Sequence, residues 1–455
     1  MATKHWQGGG LALALQFYFK VSIFLLCCSS LLTGAEVGKT DKVAPVASTS
    51  KLTLKDAKSF AVRHNYDVKA LEKRIQSFKA TSQSLRSTFY PHFGIAGGYE
   101  NESTDGKGES ASLTYVFGNI NLFNGFRDVY SIDLNDAEIQ TLAIKFARKK
   151  FEVELSVEQA FHEYLYVSDL IRLKDEELKI NRKHQKLVNQ MLKVGEASHT
   201  DVKEFDIKES VLSSELVDLL YKKESARIDL RKYLGDDVGA KIEPVGVLQH
   251  LIVEGKLQDY VKLVTESGYD VKLSKIEYER SVTNLKSIRA DWMPKVDFEV
   301  QAGLLPLESR SEAQAKDENS VGYVFLAKID LFSGLDSYWR RKSLVYEKEF
   351  RSLALKSSIL NSLSDLEKSF RRLKSIEKSV ALEKGNTKKI EKYYESVFKE
   401  YKRGYKNSAD LNSASDWFFS TKAKQLNYKF EFLKEKIALE KQLGTYLNVK
   451  IISHG

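Results

Sequence analysis

FRDVYSIDLNDAEIQTLAIKFARKKFEVELSVEQAFHEYLYVSDLIRLKDEELKINRKHQKLVNQMLKV, residues Phe126 to Val194, decides the fold. These 69 residues lie between Gly125 and Gly195 and contain neither Gly nor Pro. At ~1.5 Å rise per residue, one helix of this length spans about 100 Å. Apolar residues recur at spacings of four and three (Val153, Val157, Ala160, Tyr164, Val167, Ile171, then Leu178), a coiled-coil rhythm interrupted at Lys174. A second stripe, Phe161 and Leu165, widens the face, as a helix with neighbours on two sides requires. Between Gly334 and Gly404 lie another 69 residues without Pro, with one internal break at Gly385. Two such helices of equal length point to a built object rather than a compact enzyme.

Around each long run the rest of the chain is duplicated. Leu52 to Phe89 reads as helix up to Pro91, and then the period changes to two. Phe93, Ile95, Gly97 and Tyr99 alternate with His92, Gly94, Ala96 and Gly98; after a polar turn, Leu113, Tyr115 and Phe117 alternate again. A shorter helix returns from about Thr200 to Leu234, closed by Gly235. Tyr66-Asp67-Val68-Lys69 and Pro91 match Tyr269-Asp270-Val271-Lys272 and Pro294 at an offset of 203. Beyond the hairpins the offset is 209, matching Leu122-Phe123-Asn124-Gly125 to Leu331-Phe332-Ser333-Gly334, and Gly195, Asp201 and Gly235 to Gly404, Asp410 and Gly444. The extra residues fall in the second hairpin turn, Pro306 to Asn319. The expected divisions are therefore a leader (1–35), a linker (36–51), repeat 1 (52–235), a connecting segment (236–256), repeat 2 (257–447) and a short tail (448–455). Strands are expected near 92–101, 111–121, 296–305 and 320–330, and long helices over 126–194 and 335–403.

The leader follows from Lys20, the apolar segment Val21–Leu32 and the small residues Thr33-Gly34-Ala35, read as a secretory signal cleaved near Ala35. Both cysteines, Cys27 and Cys28, lie within it, so the mature chain has no thiol chemistry. The net charge of +9 falls to +7 without Lys4 and Lys20, and no basic cluster with interleaved aromatics suggests nucleic acid.

The strands read as membrane-crossing. Val296, Phe298, Val300, Ala302 and Leu304 alternate with Asp297, Glu299 and Gln301; Val321, Tyr323, Phe325, Ala327 and Ile329 form an apolar face with Lys328 opposite. Apolar-out, polar-in strands of ~10 residues are the transmembrane barrel pattern. A half-buried soluble sheet alternates in the same way, but no further strands are left to cover the apolar face. The lipid face is therefore assigned to Phe93, Tyr99, Tyr115, Phe117, Phe298, Tyr323 and Phe325, and the lumen to Asp297, Glu299, Gln301 and Lys328. Four strands cannot close a barrel, and lipid does not tolerate an open edge, so the barrel must be shared between copies. With two short helices stacked beside each long one, three copies give a ring of twelve helical columns. At ~10 Å spacing its diameter is about 38 Å and its bore roughly 28 Å.

The duplicated plan, the Pro-ended helices, the Leu-Phe-x-Gly strand exits and the Gly-x5-Asp turns resemble the TolC-like outer-membrane efflux proteins, over roughly Leu52 to Leu447. The resemblance implies a mainly α fold with membrane β: a homotrimer with a 12-stranded β-barrel in the outer membrane on a 12-helix periplasmic α-barrel. It implies an exit duct for an inner-membrane transporter, joined through a periplasmic adaptor, in small-molecule efflux or type I secretion. The eleven residues after Gly444 are short for the family and imply a small equatorial belt. A coiled-coil adaptor or periplasmic spacer is the alternative, but adaptors carry one hairpin and a separate β domain.

No catalytic constellation, cofactor motif or metal-ligand spacing appears; His162 and His184 read as helix-surface residues. The informative residues are at the helix turns. Ser198 and Asn407 can cap the returning helices, with Asp201 and Asp410 at the third position. The resemblance adds a periplasmic gate at Asp201, Tyr401 and Lys406, with Asp410 in an acidic constriction and an adaptor docking on the tips around Val194, Gly195, Arg403 and Gly404. Lys406 stands where the family has Arg, and Ser413 where a second acidic residue is expected.

Overall fold

The computed structural model describes residues 51–104, 107–235, 242–249, 251–304, 320–332 and 334–451. The leader and nearly all of the linker at 36–51, with the second hairpin turn, lie outside the described residues. Repeat 1 runs β1 (Lys51–Leu52), α1 (Leu54–His64), α2 (Tyr66–Arg86), β2 (His92–Thr104), β3 (Lys107–Asn124), α3 (Arg127–Lys193) and α4 (His199–Leu234). The connection holds β4 (Glu243–Pro244) and β5 (Leu251–Val253). Repeat 2 follows as α5 (Leu257–Ser267), α6 (Tyr269–Ser287), β6 (Lys295–Leu304), β7 (Ser320–Lys328), α7 (Asp336–Tyr401) and α8 (Ser408–Leu443), with β8 (Val449–Ile451) in the tail.

Several boundaries differ from the sequence pattern, each for a local reason. The stretch read as one helix from Leu52 is two helices, because Asn65 is a cap in both directions. Its amide donates to the Ala61 carbonyl (2.8 Å), while its side-chain carbonyl accepts from the amides of Asp67 and Val68 at 3.0 and 3.2 Å. Gly385 breaks nothing: α7 passes through it for 66 residues, since one Gly costs about 1 kcal/mol against a long cooperative helix. β2 and β3 run past their expected ends, to Thr104 and Asn124.

The short helices stand end to end beside the long ones. Gly235, closing α4, lies where a Cβ would be 3.2 Å from the His64 carbonyl that precedes α2. Gly444, closing α8, lies equally close to Ser267 and Tyr269 at the start of α6. α3 is packed on both sides within the chain, by α2 and α6 in one half and by α4 and α8 in the other. α7 packs along α6 and α8 and, further along, against α5, while its stretch from Trp339 to Leu360 keeps an exposed apolar stripe.

Where these joints meet, a belt wraps the helices. β1 pairs with β4 in parallel and β5 with β8 antiparallel, so the connection and the tail are both structural. Phe161, Leu230, Leu366, Leu373, Phe432 and Leu433 are buried there. Each such side chain contributes about 1.5–3 kcal/mol on burial. Within this apolar belt sits a knot of charges. Glu158 is paired with Lys58 and lies 3.0 Å from Lys436 Nζ, which also reaches Glu440 at 2.9 Å. Glu440, fully enclosed, accepts from the Leu447 amide at 3.0 Å. Burial pushes the Glu158 carboxyl up, but the His162 contact and the charges of Lys436 and Lys58 hold it well below the ordinary carboxylate range.

Lys436→Met should therefore cost about 3–5 kcal/mol, because it leaves buried Glu440 without a cation and Glu158 with Lys58 alone. Glu158 contributes stability that is complete above its unfolded pKa and lost as pH falls toward its depressed folded one. Denaturant unfolding at a series of pH values should show Glu158→Gln losing that acid-dependent part.

Candidate functional site

Two regions carry charge or shape that could act on a solute: the sheet and the helix tips. The sheet has the order β2-β3-β6-β7, antiparallel throughout. Directly opposed residues share a face, so the register assigns sides. Phe93 faces Gly118 and then Val300 and Tyr323; Ile95 faces Val116, Ala302 and Val321; Phe298 faces Phe325; Tyr99 is on the same side. This face is apolar, with Phe93, Tyr99 and Tyr323 all more than two-thirds exposed. On the other face lie Asp297, Glu299, Gln301 and Lys328, with Asn121 donating to Asp297 at 2.6 Å and Gln301 to Glu299 at 2.9 Å.

The register corrects one assignment. Tyr115 and Phe117 oppose Gly303 and Gln301, so they lie on the polar face and not the apolar one. Alternation within a strand defines two faces but does not say which matches its neighbour's. The ring of Phe117 covers Gly94, where an added Cβ would fall 2.5 Å from Cζ, so β2 is small on this side because β3 is large.

At the tips, both turns share one construction. Gly195 and Gly404 have φ of 79° and 78°, the left-handed conformation that ends a helix, with no atom near enough to force it sterically. Ser198 donates its amide to Asp201 Oδ2 at 2.8 Å and accepts the Asp201 amide on Oγ at 3.2 Å; Asn407 and Asp410 repeat the capping box. The bonds from the Ser198 amide and hydroxyl, with a further one from Ser408, hold the Asp201 carboxyl below its usual range. Tyr401 is buried and its hydroxyl shares a hydrogen bond of 3.3 Å with Ser408 Oγ. Ser408 thus stands between Tyr401 and Asp201 and links the two turns. Lys406 is not at Asp201; its ammonium lies 3.8 Å from Asp410. Val194, Gly195, Arg403 and Gly404 are exposed at the extreme ends.

Two histidines read as surface residues are not. His162 lies against Glu158 in the belt. His184 is buried between the hairpins, its Nε2 3.0 Å from the Tyr394 hydroxyl and its ring against Phe205 and Phe398. Burial, with Lys208 and Lys402 nearby, pushes its pKa down to about 4, while burial pushes Tyr394 up to about 12. Tyr394 is therefore the donor and neutral His184 the acceptor. The available signal was spacing: Asn181, His184 and Val188 share the inner face with Leu178. Lys208 adds a pair to Asp416 and one to Glu177 at 3.6 Å, tying α4 to α8 and to α3.

Because His184 must stay neutral, the packing it joins is complete above pH about 6.5 and is lost as pH falls toward 4, by at most about 3 kcal/mol. His184→Phe should flatten this dependence. Trypsin cleavage at the tips across that pH range measures it.

The outer membrane efflux protein family profile matches residues 59–236 and 265–445, most of the chain. No curated protein sequence matches. Among solved structures, CusC superposes with a TM-score of 0.75 at 12% identity, covering 90% of this chain and 96% of that one. The outer membrane protein VceC of Vibrio cholerae gives 0.73 at 12%, covering 86% and 96%. The open state of the MtrE outer membrane channel of Neisseria gonorrhoeae gives 0.72 at 12%, covering 86% and 89%. At these identities the likeness is one of fold.

Proposed function

The chain belongs to the outer membrane efflux protein family, the outer-membrane exit ducts of tripartite efflux systems, and from that premise we propose that it works as a homotrimer gated at its tips. One observation carries the trimer: the two repeats are alike, but their surroundings are not. α3 has partners on both sides, whereas α7 shows a bare stripe of Trp339, Tyr346, Phe350, Leu353 and Leu360, all more than half exposed. By the internal repeat, a second copy's α2 and α4 fit against α7 as α6 and α8 fit against α3. Among the described residues both edges of the sheet, β2 and β7, are likewise open. Three copies of the four-stranded sheet make a 12-stranded barrel, with the aromatic face to lipid and Asp297, Glu299, Gln301 and Lys328 to the lumen. A soluble spacer has no use for such a face.

Within one protomer Arg280 of α6 meets Glu138 of α3 at 2.8 Å. The repeat offsets carry this pair to Ser77 of one copy and Glu347 of the next. Cysteines at Ser77 and Glu347, joined by a short bifunctional reagent, should give covalent species of two and three copies and none larger. Species that stop at two, or continue past three, would exclude the trimer.

The gate reading joins Asp201, Ser408 and Tyr401, with Lys406 and Asp410 beside them. Each neutral or charge-assisted bond there contributes about 1–3 kcal/mol at most, so three copies can hold a two-state mouth shut and still yield to a bound partner. Tyr401→Phe combined with Lys406→Ser should raise single-channel conductance several-fold in planar bilayers. Asp410→Ala should lower cation preference without opening the mouth. Unchanged conductance in the double variant would leave the turns as caps alone. An adaptor docking at the tips should crosslink to single cysteines at Val194 or Arg403, connecting the duct to its inner-membrane transporter; type I secretion would use the same contact.

A further inference from the structure

One pair of aromatic residues has no place in the lipid face. By register Tyr115 and Phe117 lie on the side assigned to the lumen, opposite Gly303 and Gln301 of β6. The inside of a membrane barrel is normally polar, so two rings there need a cause. The wall around them is cut back to admit them. At the Tyr115 level the other strands carry Ala96, Gly303 and Ser320; at the Phe117 level they carry Gly94, Gln301 and Gly322. Phe117 lies over Gly94, and its ring is tilted against that of Tyr115 with centroids 6.2 Å apart. At Gly303, where φ is 137°, an added Cβ would stand 2.8 Å from the Tyr115 Cα, so no side chain can crowd this ring from β6. Both rings stay partly exposed.

Twelve strands ~4.8 Å apart and tilted about 40° enclose a bore roughly 24 Å across between backbones. Rings from three copies cannot meet across it, so they line the path and do not plug it. Toward the helices the same wall turns acidic. Glu299 is diagonal to Phe117, about 7–8 Å away between Cα atoms, and Asp297 follows two residues on. Gln301 donates to Glu299 and Asn121 to Asp297, but among the described residues neither carboxylate has a cation partner. Val324 and Leu326, both about half exposed, share these two levels on β7. Lys295 and Lys328 lie one level beyond Asp297, so the carboxylates stand between the lysines and the rings.

We propose that Tyr115, Phe117 and Glu299 form a binding station on the lumen wall for organic cations that carry an aromatic ring. The ring of the solute lies against Phe117 and Tyr115, and its positive centre lies at Glu299, with Asp297 next on the path. The occupant follows from the two halves of the wall. Aromatic faces attract apolar rings and cations alike, and carboxylates without a cation partner favour positive charge. An inorganic cation would need the carboxylates alone, and an anion would be repelled by them. Such a station must stay weak, since a conducting site has to release what it binds. The inference rests on the outer-membrane channel reading and adds a class of solute to it.

Processed protein in lipid nanodiscs is titrated with two fluorescent probes, N-methylacridinium and, at mildly alkaline pH, acridine, which has the same ring without the charge. Binding is read above that of empty nanodiscs. Phe117→Leu keeps the apolar volume over Gly94 but removes the ring, and should weaken both probes about five- to tenfold. Tyr115→Leu is a second, independent removal of a ring and should act in the same direction. Glu299→Gln should weaken N-methylacridinium by a similar factor and leave acridine unchanged. Phe325→Leu, on the lipid face, should change neither. Full affinity for N-methylacridinium in both ring variants, or equal loss of the two probes in Glu299→Gln, overturns the station. Single-channel recording of the same preparations separates the two readings. Protein that conducts ions but binds neither probe overturns the station and leaves the channel intact; protein that neither conducts nor binds overturns both.

Discussion

The constraint on which the rest depends is that a sheet in hydrocarbon must satisfy its own backbone groups. Water is absent, and an unpaired strand edge costs several kcal/mol per group. Among the described residues the sheet has four strands and two open edges, so the membrane part cannot be finished within one copy. The helices obey the same incompleteness in a milder form, since α7 keeps a bare apolar stripe that water tolerates at a price. The β7 edge and the bare stripe of α7 both belong to repeat 2, which makes the two demands complementary and lets one neighbour meet them together.

The belt faces the opposite problem. Its charges lie among apolar side chains, where burial disfavours each of them singly. They persist as a set: Lys436 lies between Glu158 and Glu440, Lys58 adds a second cation to Glu158, and the Leu447 amide donates to Glu440 Oε1. Such sets contribute less to stability than apolar packing of the same volume, but they tolerate only one arrangement. Here that arrangement joins α1, α3 and α8 with the tail, so the place where stacked helices meet is fixed in register.

Much of this was legible in the amino-acid order. Long stretches without Gly or Pro, a period that switches from helix to strand, and two constant offsets are all properties of single segments or of pairs of segments, and they produced the long helices, the hairpins and the duplication. What was not legible depends on how one segment meets another. The opposite faces of Phe93 and Phe117 follow from a register that neither strand encodes alone. The break at Asn65 is a cap that a helical pattern hides, because Asn is tolerated in either state. His184 reads as exposed because polar residues usually are, and it takes Phe205 of its own hairpin together with Tyr394 and Phe398 of the other to enclose it. At the tips, Asp201 and Asp410 were readable as caps, whereas the role of Ser408 between Tyr401 and Asp201 requires both turns at once.

The pairing of β3 with β6 also sets an order of events in biogenesis. Asn121 and Asp297, bonded across that pair, are 176 residues apart along the chain, whereas the helical hairpins close through turns of a few residues. Local contacts form fast and distant ones wait for the intervening chain to be ordered. The coiled coils can therefore mature while the central strand pair is still unmade, and the outer strands cannot be matched before other copies arrive. A newly exported chain thus passes through a stage with a finished stalk and an unfinished, sticky head. That stage is bimolecular or higher in its exit, so its lifetime shortens as chains accumulate, and expression level becomes a kinetic variable of folding itself.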